Sequence, residues 1–304
     1  MNVAVTWQGI YPALLTPFTA EDTLDLNLFE TNLRAQIDAG VRGLIIGGSL
    51  GETSTLTRPE KLQLLERALQ VCDGQVPVIV NIAEQATRDA IAAAQEAEAN
   101  GADGLMLLPP MRYFADSRET VEYFRSVAES TKLPIMVYNN PVDYKIHITV
   151  PMFQELAQIP NIEAVKESTR DLTNVIRMRN AFGDRFKIMG GVDTQILESA
   201  VLGVDGIVGG LVDAFPAETV ALYEWAQQGK IKEAFELYQW FMPLLELDIH
   251  PKLVQNIKLA AVATGIGSEY VRAPRLPLIG EERAHVQGII DRAMANRPSL
   301  AVPA

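Results

Sequence analysis

A single lysine, Lys166, closes the apolar run Ile162-Glu163-Ala164-Val165-Lys166 and is followed by Glu167-Ser168. An amine held among apolar walls gives up its charge and becomes a nucleophile toward carbonyl carbon. Two more motifs stand where an apolar segment gives way to a loop, Gly47-Gly48-Ser49-Leu50-Gly51-Glu52 and Tyr138-Asn139-Asn140-Pro141. Schiff-base chemistry needs a neutral amine, a proton shuttle for the carbinolamine and donors for a substrate carboxylate. In this reading Tyr138 is the shuttle, Ser49 its relay, and the amides of the 48–50 turn are the donors. A strand-end lysine can also snorkel or pair with a carboxylate. The nucleophile reading therefore rests on the phenol and hydroxyl expected at the same rim.

These motifs need a scaffold that brings strand ends together. Short apolar runs at 10–15, 43–46, 76–80, 104–107, 134–138, 162–166, 186–189 and 206–208 read as strands buried on both faces, as in a parallel sheet. Between them, helical patterns occupy 26–39, 58–72, 87–100, 117–130, 149–158, 171–181, 194–202 and 216–228. The punctuation recurs: Ala39-Gly40-Val41-Arg42-Gly43, Asn100-Gly101-Ala102-Asp103-Gly104 and Leu202-Gly203-Val204-Asp205-Gly206 each put one glycine after a helix and another at the next strand. Eight βα units predict an α/β chain folded as a closed (βα)8 TIM barrel over 1–228. Residues 229–304 are expected as a helical extension packed on it, with helices over 231–247, 251–264 and 281–296, the first kinked or ended by Pro243. Barrel enzymes collect their reacting groups at the C-terminal strand ends. The loops Gly190-Gly191-Val192-Asp193 and Gly209-Gly210 should therefore share a mouth with Ser49, Tyr138 and Lys166.

Composition narrows the function. The chain has 304 residues, enough for one barrel, and a formal charge of −12, which argues against nucleic acid or an anionic membrane as partner. An anionic substrate would then need locally placed donors. The one cysteine, Cys72, excludes a disulfide framework and reads as a small buried hydrophobe on a helix. His147, His250 and His285 are scattered, without metal-ligand spacing, and no nucleotide-binding glycine motif appears. No stretch is apolar enough to span a membrane, and no basic leader precedes an apolar run, so a soluble cytoplasmic protein is expected.

With these motifs in place the chain resembles the dihydrodipicolinate synthase / N-acetylneuraminate lyase family over nearly its whole length, from Gly9-Ile10-Tyr11-Pro12 to the last helix. The resemblance is carried by Gly48-Ser49-Leu50-Gly51-Glu52, Tyr138-Asn139-Asn140-Pro141 and Val165-Lys166-Glu167. It implies a lysine Schiff-base enzyme without cofactor or metal, a small 2-oxo or cyclic imino acid as substrate, and a homotetramer built as a dimer of dimers. It makes Lys166 the Schiff-base lysine, Tyr138 the proton-transferring phenol and Ser49 the first hydroxyl of the carboxylate loop.

Departures from the family pattern bear on the branch. Leu50 stands where the synthase has a second hydroxyl, and Arg112 beside Tyr113 where it sends an aromatic residue to the neighbouring subunit's site. Asp143 replaces its semialdehyde-binding arginine, a change that repels an anionic second substrate. The lyase's Asp-Glu pair becomes Asp193-Thr194, and its serine after the last strand becomes Gly210. The motifs Leu108-Pro109-Pro110-Met111, Tyr138-Asn139-Asn140-Pro141-Val142 and Gly190-Gly191-Val192-Asp193 are most similar to the branch of 1-pyrroline-4-hydroxy-2-carboxylate deaminase. The expected substrate-binding set is Gly48, Leu50, Asp143, Tyr144, Gly191, Asp193 and Gly210, with Arg112 and Tyr113 as candidates for a neighbouring site. The expected reaction is deamination of that pyrroline to 2,5-dioxopentanoate and ammonia. Another 2-oxo-acid aldolase or dehydratase, a synthase-like enzyme, and a barrel that binds a 2-oxo acid without turnover remain the alternatives.

Overall fold

The computed structural model describes residues 3–300. Eight strands, β1 (Gly9–Pro12), β2 (Leu44–Ile46), β3 (Val78–Ile82), β4 (Gly104–Leu107), β5 (Ile135–Asn139), β6 (Ile162–Glu167), β7 (Lys187–Gly190) and β8 (Gly206–Gly209), pair in parallel and in sequence order. β1 pairs with β8, and the Ala13–Ile45 bridge joins the β1 end to β2, which closes the ring. The helices α1 (Leu26–Asp38), α2 (Arg58–Cys72), α3 (Thr87–Ala99), α4 (Ser117–Glu129), α5 (Pro141–Tyr144), α6 (Val150–Leu156), α7 (Thr173–Phe182), α8 (Ile196–Val201) and α9 (Pro216–Gln227) surround it. The (βα)8 barrel expected from the glycine-punctuated repeat is thus the observed fold, with strand and helix ends shifted by a few residues.

Alternation along each strand sorts its side chains. Met136, Tyr138 and Ala164 face the barrel interior, whereas Ile135, Val137, Ile162 and Val165 join the outer core beneath the helices, the alternation on β6 being offset by a register shift at Glu163. Trp7 and Tyr11 stack with ring centroids 5.9 Å apart at the N-terminal side of the interior. Gly43 makes room for that stack, since a Cβ there would stand 2.1 Å from the Tyr11 ring. No helix among the described residues is long and apolar enough to cross a membrane.

Three helices follow the barrel: α10 (Ile231–Leu245), α11 (Leu253–Ala263) and α12 (Gly280–Ala295). Pro243 does not end α10 at once. It lies inside the last turn, where its missing N–H forfeits only the bond to the Gln239 carbonyl, and the helix runs on to Leu245. The extension is pinned to the loop after β2 by a buried ion pair. Lys258 of α11 and Glu52 meet at 2.6 Å with side chains 1% and 0% exposed. The same ammonium donates to the Tyr270 carbonyl at 2.6 Å and lies 4.6 Å from the Phe18 ring centroid, while the Arg272 amide donates to the second Glu52 oxygen at 3.0 Å. Glu52 itself sits at φ 57°, a left-handed conformation that a non-glycine residue keeps only when its surroundings hold it there. Burial pulls the Lys258 pKa down to about 8, against the pull of Glu52.

Removing one member of such a pair strands the other charge in the interior. Lys258→Met is therefore expected to cost about 3–5 kcal/mol in denaturant unfolding. The double variant with Glu52→Gln is expected to recover part of that loss, and equal stability of Lys258→Met and the wild type would contradict the arrangement.

Candidate active site

The C-terminal strand ends converge on a cavity of about 110 Å³ that holds every motif the barrel reading assigned to the mouth. β5 and β6 are paired so that Tyr138 and Lys166 are direct partners, and both point inward. Lys166 is 6% exposed, and its ammonium nitrogen lies 4.2 Å from the Tyr138 ring centroid. Burial lowers the Lys166 pKa, opposed by Tyr144 and by Asp248, Asp193 and Asp143 around the cavity. An aromatic face attracts the charged amine while desolvation favours the neutral one. Burial also pushes the Tyr138 hydroxyl up to about 12, against hydrogen bonds with Asn140 and Ser168, so the phenol holds its proton at neutral pH.

Glycine decides how closely the walls approach the amine. A Cβ on Gly191 would stand 2.8 Å from two carbons of the Lys166 stem and 2.1 Å from the Ser168 hydroxyl, which donates to the Gly191 carbonyl at 2.9 Å. Behind the strand, Glu167 points outward and accepts from Asn174 at 2.7 Å, Asn139 at 3.2 Å and the Thr169 amide at 2.8 Å. That network ties the ends of β5 and β6 together and fixes the register between the phenol and the amine.

The Ser49 hydroxyl meets the Tyr144 hydroxyl at 2.7 Å, and Tyr144 packs edge-on against Tyr138 with centroids 5.3 Å apart. The Tyr138 hydroxyl instead accepts from Asn140 at 3.2 Å. Tyr144 therefore stands between the shuttle and the relay that the sequence reading joined directly. It reaches that place because Asn140 caps the short helix α5, accepting the Asp143 amide at 3.1 Å and donating to the Asp143 carboxylate at 2.7 Å. In the 48–50 turn, the Gly48 and Ser49 carbonyls accept the Thr53 and Glu52 amides. Among the described residues, the Ser49 and Leu50 amides donate to no protein acceptor.

The opposite wall is acidic. Asp193 is buried and accepts the Gly210 amide at 3.1 Å and the Leu211 amide at 2.7 Å. Burial raises its pKa, and those amides and Lys166 oppose the rise. Asp248, Arg170 and Ser168 also line the cavity, and the sequence reading had assigned none of them. Ser168 and Arg170 follow Lys166 so closely that the end of β6 could have flagged them. Asp248 comes from the turn after α10, beyond the barrel repeat, where strand-end logic does not reach. Arg112 and Tyr113 lie exposed on the loop after β4 and are not part of the cavity wall of their own chain. A larger cavity of about 360 Å³ between α2 and α3 is remote from these groups, and its Lys61 and Glu84 already pair at 3.1 Å.

A parallel (βα)8 barrel with a buried lysine beside a tyrosine at its strand ends is the architecture of a lysine-dependent lyase. The chain belongs to the dihydrodipicolinate synthetase family, whose model matches residues 6–293. A relative named 4-hydroxy-tetrahydrodipicolinate synthase from Exiguobacterium sibiricum is 36% identical over 281 residues, 91% of this chain and 94% of the relative. A second of that name, from Macrococcus caseolyticus, is 30% identical over 96% of this chain and 97% of the relative. A crystal structure of a dihydrodipicolinate synthase from Bacillus anthracis superposes with a TM-score of 0.90 at 28% identity, covering 99% of this chain and 100% of that one.

Beneath the acidic wall, Asp213 accepts the Leu15 amide at 2.9 Å, and its second oxygen has no hydrogen-bond partner among the described residues. Burial, aided by Asp193 and Asp248, raises its pKa well above the usual carboxylate range. Between the unfolded and folded pKa values the native state holds a proton that the unfolded chain has lost, so stability falls as pH rises through that window. Asp213→Asn does not titrate. Its melting temperature relative to wild type is expected to climb from pH 5 to pH 9, and a difference independent of pH would contradict the assignment.

Proposed function

We propose that this protein is a Schiff-base lyase that converts 1-pyrroline-4-hydroxy-2-carboxylate and water to 2,5-dioxopentanoate and ammonia. The observation that carries the reading is a desolvated Lys166 amine over Tyr138 in a small cavity with an acidic wall that includes Asp143, the residue that the family resemblance matches to the synthase's arginine. A carboxylate there disfavours a second anionic substrate and favours a cationic iminium. The compact volume suits a five-membered ring better than a nine-carbon sugar acid.

In this mechanism the Lys166 nitrogen attacks C2 of the ring imine, and collapse of the adduct opens the ring. C2 is left as an enzyme imine and C5 carries a primary amine. The imine is an electron sink, so the C3 proton can leave and the C4 hydroxyl can follow as water. Tautomerisation moves unsaturation to C5, where hydrolysis frees ammonia. Hydrolysis at C2 frees the dioxo acid, so one water lost and two gained balance the overall uptake of one. Tyr138 moves protons at the carbinolamine, Tyr144 and Ser49 extend the chain, and the Ser49 and Leu50 amides hold the carboxylate.

One observation favours a second reading, a synthase-like condensation of pyruvate with an aldehyde: the curated relatives quoted above carry the synthase name. Ammonia release from the pyrroline, compared with pyruvate consumption alongside aspartate semialdehyde, separates the two. A homotetramer belongs to the proposal as well. The loop after β4, with Phe114 83% exposed beside Arg112 and Tyr113, is assigned to a contact with a neighbouring subunit. A monomeric mass in light scattering at micromolar protein would reject it.

Borohydride with pyruvate is expected to add one ligand mass to the wild type and none to Lys166→Ala. An adduct that survives Lys166→Ala would remove the lysine from the mechanism. Tyr138→Phe is expected to slow imine formation by about a hundredfold, the scale of a lost general acid–base group. An unchanged rate would take the phenol out of the proton path.

A further inference from the structure

Asp248 belongs to the helical extension, yet its carboxyl lines the same cavity as Lys166. The turn that carries it is well held. The Leu247 and Asp248 amides donate to Leu244 at 3.0 Å and Leu245 at 3.1 Å, and Asn256 of α11 donates to the Leu247 carbonyl at 3.3 Å. The barrel has made room for this carboxyl. A Cβ on Gly210 would stand 2.2 Å from an Asp248 oxygen and 3.1 Å from a Leu50 methyl, so any side chain at 210 would evict the acid. Among the described residues no donor hydrogen-bonds the Asp248 carboxyl, although Asp193, which follows the adjacent strand β7, is satisfied by backbone amides. Burial, then Asp193, keeps the Asp248 proton on well above the usual carboxylate range, with Lys166 and Arg170 opposing. Gly210 follows β8, two strand spacings from Lys166 on β6, or roughly 10 Å at the backbone. A substrate fixed to Lys166 through C2 would carry C4 and C5 away from the amine within the cavity that both residues line.

We propose that Asp248 is the acid that protonates the departing C4 hydroxyl, and so selects substrates bearing an oxygen at that carbon. The inference rests on the lyase reading above and deepens it. In the enamine left by loss of the C3 proton, the nitrogen lone pair re-forms the C2 iminium. The C2–C3 π pair becomes the C3–C4 π bond, and the C4–O bond breaks. The Asp248 proton passes to that oxygen, water leaves, and Asp248 is left as a carboxylate. A proton from the water that later hydrolyses the imine restores it. Leu50, touching the same Gly210 space, forms the apolar side of the slot.

The test uses full-length wild type, Asp248→Asn and Asp248→Ala. Two readouts need only Lys166 and the enamine: borohydride trapping of pyruvate and exchange of pyruvate methyl protons into deuterium oxide. A third, ammonia release from 1-pyrroline-4-hydroxy-2-carboxylate, needs the C4–O bond to break. Both Asp248 variants are expected to keep trapping and exchange within about twofold and to lose ammonia release by about a hundredfold or more, the scale of one general acid. Ammonia release at the wild-type rate in Asp248→Ala, or equal losses in all three readouts, would overturn the acid role and leave the lysine reading standing. A wild type that exchanges pyruvate but yields no ammonia would overturn the pyrroline reading and this proposal together, and a wild type that traps nothing would remove the Schiff base itself.

Discussion

The exclusion of water from one amine organises this molecule. Lys166 can lose its charge only because apolar and aromatic groups crowd it, yet it cannot be sealed off, since its partner must reach it from the barrel mouth. The structure meets both demands with steric economy. Ala164 lies beneath the lysine on the same face, Gly191 leaves its stem a groove, and Tyr138 offers a ring face on the adjoining strand. The hydrogen bonds around Glu167 then fix the two strands behind it. Each feature would be an ordinary packing choice alone, and together they leave a desolvated nitrogen in the wall of a small cavity.

Electrostatics complete that arrangement. Four carboxyl groups, Asp143, Asp193, Asp213 and Asp248, gather around or beneath one buried amine, and burial raises the pKa of the last three. Hydrogen bonding divides them. Asp193 is held by two backbone amides, and Asp143 is engaged by Asn140. Among the described residues, Asp213 has only the Leu15 amide, and Asp248 faces the cavity. Desolvation acts on the least satisfied groups most strongly, so a wall of formally like charges becomes a mixture of acceptors and proton donors.

Much of this was legible in the chain. Continuous apolar runs and the repeated glycine pairs specify the barrel, because buried parallel strands and left-handed helix ends leave few alternatives. Lys166 and Tyr138 were visible as polar residues at the ends of such runs. What local pattern could not supply was contact between distant segments. The four-residue helix α5 is too short to show periodicity, yet it turns Tyr144 toward Ser49. Asp248 lies beyond the last βα unit, and the pairing of Glu52 with Lys258 spans over two hundred positions. Such relations are set by how the extension folds back, which no spacing within either segment encodes.

That return of the tail has a consequence for anyone dividing the gene. Excising the eight βα units as a minimal catalytic module would abandon the Glu52 carboxylate in a dry interior and uncover the Phe18 ring. The loop bearing Ser49 would lose its anchor even with every strand intact. The appendage therefore completes the packing of the barrel at Glu52 and also supplies Asp248 to the cavity wall, so neither part stands without the other.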